Sequence, residues 1–287
     1  MNVNTLTLNT SGYPLILADI GSPPPQLFWA GASPDSWLGA PRVAIVGSRK
    51  ATTYGIEITR KLAGQLASAG VVVISGMAMG IDSAAHQAAL GAGGITVAVL
   101  GTSLSDASKS SRANLANQIL NQGGTIISEY SAQDIVQKSN FVIRNRIVSG
   151  LADVVVITEA ALKSGSLHTA RFALEQGKTV MAVPGNINQL SSQGSNNLIK
   201  SGAIPITEVD DIFFALKISP VKAKRPRRFQ GSPSEAIIFK LIQAGVSGQE
   251  ELAAAARLAG PVVASSLTML EISGYIRPAG AGHWVTI

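Results

Sequence analysis

The feature that most constrains this chain is an alternation that begins near Pro41. Short apolar runs recur at "RVAIVG" (42–47), "VVVIS" (71–75), "ITVAVLG" (95–101), "TIIS" (125–128), "DVVVITE" (153–159), "TVMAVP" (179–184) and "IPIT" (204–207). Most are apolar at consecutive rather than alternate positions, so both faces of the strands they predict must be covered. The stretches between them supply the cover: "GIEITRKLAGQLASAG", "DSAAHQAALGAG" and "SRANLANQILNQGG" carry helical patterns, and each closes on a glycine able to take the left-handed cap conformation. Strands buried on both faces and joined by helices predict an α/β fold, a Rossmann-like doubly wound, mostly parallel sheet.

The flanks of this core read differently. Residues 1–40 are rich in Pro, Gly and Ser around Trp29 and Trp37, which predicts an irregular lead-in. The alternating pattern occupies 41–218, and a basic linker follows at 219–232. Residues 233–287 then hold "SEAIIFKLIQAG", "GQEELAAAARLAG" and "PVVASSLTMLEISG", three helical patterns, before the hairpin-like "YIRPAGAGHWVTI". Three helices and a hairpin outline a small winged-helix domain. Its third helix, roughly Pro261 to Ile272, has no Lys or Arg and one Glu, so phosphate contact through it is disfavoured and a protein-interaction or packing role is expected.

Charge and composition narrow the function. The 23 basic and 17 acidic residues leave a formal charge of +6, concentrated in "VKAKRPRRFQ" (221–230), a solvated tether or an auxiliary phosphate-binding arm. There are no cysteines and three scattered histidines, which excludes disulfides and thiolate chemistry and argues against a resident metal. Apolar runs all stop short of a membrane span, and "MNVNTLTLNTSGYPL" lacks the pattern of a signal peptide, so no membrane association is expected and a cytoplasmic location fits.

In open α/β sheets ligands gather beyond the carboxyl ends of the strands. After the first run comes "GSRKATTYG" (47–55), where Gly47 permits close backbone approach, Ser48 offers a hydroxyl and Arg49 a bidentate donor for phosphate. It is not GxGxxG, and no acidic residue ends the second strand to hold a ribose, so ordinary dinucleotide binding is disfavoured. In "SGMAMGIDSAAH" (75–86), Asp82 or Ser83 is suited to cap a helix. Ser164, Gly165 and Ser166 precede another helix, where backbone N–H groups can hold an anion or a serine can simply cap. "PGNINQLSSQGSNNLI" (184–199) is dense in small and amide residues, fit to line a site or to turn the chain. A helix over about Asn140 to Leu151 would put Phe141, Arg144 and Val148 on one face. Phe141 beside Lys138 and Arg144 suits base stacking with phosphate neutralisation. On these residues alone, Phe141 as core, with the arginines on the surface or paired to Glu129 or Glu159, is about equally good.

Taken together, "VGSR", "SGMAMGIDSAAHQAAL", "GGITVAVLG", "GGTIISEY", "NFVIRNRIVSGLADVVVITEAALKSGSLHTARFALEQGKTVMAVPGN" and "SQGSNNLIKSGA" closely resemble the DNA-processing protein A (DprA, or Smf) family, in order from about Arg42 to Ile212. The resemblance implies a Rossmann-like core that binds single-stranded DNA in a basic pocket, forms a homodimer, protects incoming single strands and assists loading of the RecA recombinase in natural transformation. No nucleophile–base pair and no metal-ligand spacing is evident in the residues, so neither enzymatic activity nor a cofactor is expected. The family's DNA contacts map onto Ser48 and Arg49, onto Lys138, Phe141, Arg144, Asn145 and Arg146, and onto Ser164, Gly165 and Ser166. A C-terminal winged helix belongs to many members.

This chain departs from the family in two loops. After "VLG" the usual Tyr-Pro and Asn are replaced by "GTSLSDASKSSRANL", with Asn114 as counterpart of the Asn. Val142 and Ile143 stand where a Pro usually separates the Phe from "RNR". Different local loop shapes are expected there. The helical module that precedes the core in some members has no counterpart in the short lead-in.

Three functions follow for testing. The first is single-strand DNA binding in recombination. The second is binding or processing of a small nucleotide, for which Glu129 and Glu159 are the carboxylates available as acid or base. The third is a scaffold whose winged helix recruits a protein partner.

Overall fold

The computed structural model describes residues 2–109, 111–219, 231–280 and 282–286, apart from the side chains of residues 108 and 109. The chain divides into two compact units, Met1–Lys222 and Ala223–Ile287. The basic run 221–230 lies outside the described residues.

The first unit is built on a nine-stranded sheet: β1 (Asn4–Thr7), β2 (Gln26–Gly31), β3 (Arg42–Val46), β4 (Val72–Ser75), β5 (Thr96–Leu100), β6 (Thr125–Ser128), β7 (Val154–Ile157), β8 (Thr179–Ala182) and β9 (Ile204–Pro205). Their order across the sheet is β1-β2-β6-β5-β4-β3-β7-β8-β9. From β6 to β9 every pairing is parallel. The central strands β3, β4, β5 and β7 are buried almost without exception, as consecutive apolar positions require. Order reverses at β3, whose neighbours are β4 on one side and β7 on the other, so the loops after these strands diverge and leave a crevice at their carboxyl ends.

The lead-in is not irregular. Residues 4–31 form an antiparallel pair, β1 with β2, and β2 pairs antiparallel with β6, extending the sheet by two strands. Tyr13, Leu17, Ile20 and Trp37 join the core cluster that holds Ile147, Val148 and Leu151. Trp37 Nε1 donates to Thr125 Oγ1 at 2.9 Å, and Tyr13 donates its hydroxyl proton to the Pro24 carbonyl at 2.7 Å. The apolar side chains that looked like a loose preamble thus cover one face of the sheet and the helix beneath it.

The helix expected over 140–151 is two segments, Asn140–Ile143 and Asn145–Leu151, with Arg144 between them in right-handed helical conformation. A further helix, Leu104–Lys109, occupies the loop in which the family's Tyr-Pro is missing. Asn114 lies exposed on the following helix, Ala113–Asn121.

The second unit has three helices, Pro233–Gln243, Gln249–Ala256 and Gly260–Ile272, and an antiparallel hairpin of β10 (Ile276–Gly280) and β11 (His283–Thr286). Its core draws on Ile238, Ile242, Leu252, Val263, Leu267, Leu270 and Ile276. Ser232 caps the first helix by accepting from the Glu235 N–H, with Pro233 at the favoured first position.

Candidate functional site

At the carboxyl ends of β3, β4 and β5 lies a cavity of about 220 Å³, walled by the loops after all three strands and by the segment that opens at Asn140. Two glycines make this crevice possible. Gly80 has φ +81°, and a Cβ there would collide with the Ser48 carbonyl oxygen, so the loop after β4 can lie directly against the loop after β3. At Gly76 a Cβ would stand 2.5 Å from Arg144 Nη2 and 2.7 Å from Asp82 Oδ2, so only glycine leaves room for both charged groups beside the cavity wall, which Arg144 lines. Met77, between them, is buried in the left-handed region at φ 54°, unusual for a bulky residue and a local strain at the wall of the site.

Arg144 is 3% exposed. Its Nη1 donates to the carbonyl of Gly76 at 2.8 Å and to that of Val99, and its Nε donates to Asn145 Oδ1 at 3.3 Å. The guanidinium therefore ties the end of β4 to the end of β5, while Nη2 has no hydrogen-bond partner among the described residues. Burial lowers its pKa to about 10, with Asp82 pulling the other way, so Arg144 stays charged at neutral pH. Asp82 is buried too, and burial raises its pKa against the opposing pull of Arg144. Its carboxylate accepts from the Ala78 N–H at 3.2 Å, whereas the N-cap of its helix, Ile81–Gly91, is Gly80. Asp82 is thus less a cap than the partial counter-charge of a buried arginine.

Arg49 is exposed, and its guanidinium carbon stands 5.6 Å from the centroid of the Phe141 ring, a cation–π pair at the mouth of the cavity. Ser48 is held by its backbone: its N–H donates to the Glu159 carbonyl at 2.8 Å and its carbonyl accepts from Ile81 at 3.2 Å. Lys138 is exposed on the loop that leads into Asn140. Asn145 reaches the other way, donating from Nδ2 to the Gly165 carbonyl at 3.2 Å. That bond joins the "RNR" segment to the turn of Ser164, Gly165 and Ser166, where the two serine hydroxyls lie 2.8 Å apart. The N-cap position of the helix Ser166–Glu175 is Gly165, and the capping expected of a serine is reduced to a long bond from the Ser166 N–H to the Ser164 hydroxyl at 3.4 Å.

The two arginines of "RNR" have separate surroundings. Arg146 points away from the cavity and forms a two-pronged ion pair with Glu129, Nη1 to Oε1 at 2.9 Å and Nη2 to Oε2 at 2.6 Å, with both side chains 9% exposed. The expectation that Arg146 reaches DNA meets this buried pair, which engages both terminal nitrogens and leaves only the buried Nε without a partner among the described residues. Glu159 is equally engaged: it is 2% exposed and accepts from the Thr52 N–H at 3.1 Å and from the Thr52 hydroxyl, fastening the start of the helix Thr53–Ser68. Both carboxylates considered as acid or base are therefore structural anchors. Among the described residues no group of three or more His, Asp or Glu is placed to hold a metal ion.

The structure brings Arg49, Phe141 and Arg144 to one cavity, and links Asn145 to the serine turn beside it. Sequence reasoning missed Arg112 and Asp106, which line the same cavity from the loop and helix after β5. The signal was "SDASKSSR" (105–112), a short polar stretch separated from a strand end by four residues.

The family profile of DNA recombination-mediator protein A matches residues 4–217, nearly the whole first unit. Protein Smf of Escherichia coli is 37% identical over 96% of this chain and 78% of its own length. The solved structure of DNA processing protein A from Streptococcus pneumoniae superposes with a TM-score of 0.67 at 37% identity, covering 74% of this chain and 73% of that one. A structure of the Helicobacter pylori protein, determined to describe its single-stranded DNA binding mode, gives 0.65 at 33% identity, covering 75% and 95%. The matched residues include β1 and β2. With its fold, its strand-end crevice and its motifs in agreement, this chain belongs to the DNA recombination-mediator protein A (DprA/Smf) family.

Proposed function

We propose that this chain binds single-stranded DNA at the cavity beyond β3, β4 and β5, without catalysing a reaction, and acts in recombination of incoming DNA. The observation that carries the reading is the exposed Arg49 guanidinium over the Phe141 ring at the mouth of a cavity whose floor holds the buried Arg144. An aromatic face with a cation beside it accepts a base and its phosphate without demanding a sequence. The Asn145–Gly165 bond holds the serine turn alongside, where Ser164, Gly165 and Ser166 offer backbone and hydroxyl groups to the next phosphate. Arg49 and Lys138 are the direct phosphate contacts, Arg144 sets the floor, Ser48 contributes through its loop, and Arg146 positions the segment from below. In the wider role the chain works in the cytoplasm as a homodimer, protects single strands during natural transformation and assists RecA loading, as its family membership supports. The small-nucleotide reading loses its acid and base, because Glu129 and Glu159 are both committed to structural bonds.

The test is binding of a fluorescent single-stranded oligonucleotide across a salt series with duplex competitor. Single strands should win. Arg49→Ala should weaken binding and reduce the log–log salt slope by about 0.7, one phosphate's share. Phe141→Ala should cost about 1–3 kcal/mol with little change in slope. Wild-type binding that ignores salt, or variants indistinguishable from it, would overturn the reading.

A further inference from the structure

Tyr54 is a feature that the cavity leaves unexplained. It stands in the first turn of the helix Thr53–Ser68, 52% exposed, yet its hydroxyl donates to the Pro184 carbonyl at 3.0 Å. That bond fixes the edge of the ring against the loop after β8 and leaves the rest available, the arrangement of an aromatic held ready rather than buried. The loop after β3 therefore reaches in two directions. Arg49 leans toward Phe141, which lies over the end of β5, and Tyr54 leans toward the end of β8.

Between these points the surface is basic. Lys50 is exposed after Arg49, Lys163 is exposed on the loop after β7, and neither forms an ion pair among the described residues. In the order β5-β4-β3-β7-β8 the strand ends toward which the two side chains lean are four inter-strand steps apart, about 19 Å at the usual spacing. That distance is several nucleotides, too far for one base and its own phosphate to span.

We propose that a single strand bound at Phe141 runs across the carboxyl ends of the strands toward β8, with Tyr54 stacking a second base and Lys50 and Lys163 meeting the phosphates between. This rests on the single-strand reading of the cavity and adds a direction and a second stacking position. Ile187 and Leu190 are largely exposed on the segment after β8 that begins at Pro184, the residue Tyr54 touches.

The experiment compares oligothymidylates of about four and about twelve nucleotides on wild type, Arg49→Ala, Tyr54→Ala and Tyr54→Phe, with 2-aminopurine placed toward either end of the longer strand as a stacking reporter. Tyr54→Ala should weaken the long oligonucleotide about tenfold, leave the short one unchanged and abolish the fluorescence change at one reporter only. Tyr54→Phe keeps the ring and should retain most of the affinity. If Tyr54→Ala matches wild type on both lengths while Arg49→Ala weakens them, the track is wrong and the cavity reading stands. If Tyr54→Ala weakens both lengths equally without a change in either reporter, the ring only supports its loop, and the apolar surface is left for a protein partner. If wild type binds neither oligonucleotide, the cavity reading itself fails.

Discussion

Replacing Arg146 by Met separates a structural arginine from a DNA-binding one. The Arg146–Glu129 pair is two-pronged at 2.9 and 2.6 Å, with both side chains 9% exposed. Removing one member of such a pair leaves a buried, uncompensated charge, which costs about 3–5 kcal/mol. At roughly 3 kcal/mol per molar urea, a loss of about 4 kcal/mol moves the unfolding midpoint down by about 1.3 M. Replacing both partners, Arg146→Met with Glu129→Leu, removes the stranded charge and should recover most of that loss, because apolar isosteres of a buried pair are often no less stable. Tryptophan fluorescence reports the transition, since Trp37 is fully buried beside this core. The folded double variant should bind single strands within about twofold of wild type, the error expected when no phosphate contact is lost. If Arg146→Met is as stable as wild type but loses DNA affinity and salt slope, Arg146 touches phosphate and the assignment made from the ion pair is refuted.

Other expectations follow from the same geometry. Arg144→Met should destabilise by about 2–4 kcal/mol, because the Gly76 and Val99 carbonyls lose their shared donor and Asp82 its nearest cation; unchanged thermal stability would contradict this. Gly80→Ala should cost more than about 2 kcal/mol and loosen the cavity, since φ +81° and the Ser48 carbonyl both exclude a Cβ; a calorimetric scan decides it. His86 is buried with its pKa lowered to about 3, so between its unfolded value near 6.5 and pH 3 the unfolded chain binds a proton that the folded one refuses. Its stabilising contribution is therefore complete above about pH 6.5 and declines by about 2 kcal/mol by pH 5, and His86→Asn should flatten that part of the urea-midpoint profile.

Much of the fold was written locally. Parallel strands buried on both faces must be apolar at consecutive positions, so the runs at β3 to β8 announced themselves with errors of a residue or two at the ends. The three helices of the second unit were legible for a similar reason, since they carry apolar periodicity with Ser, Gly and Pro at their starts. β1 and β2 were not legible. β1 is a four-residue, mostly exposed edge strand, and Gln26–Gly31 carries no strict alternation; only pairing with β6 gives them their structure.

The sequence by itself determined the class of fold, the strand ends where a ligand is expected, and the residue types, Arg, Lys and Phe, suited to single-stranded DNA. Only the tertiary structure decided what each arginine does. Arg144 and Arg146 are two residues apart, and nothing local distinguishes them. One turns to the carbonyls of Gly76, just after β4, and Val99, on β5, the other to Glu129 beyond β6. A charge takes its role from the partners within a few ångströms, and those partners come from strands distant in the chain that only the packed sheet brings together.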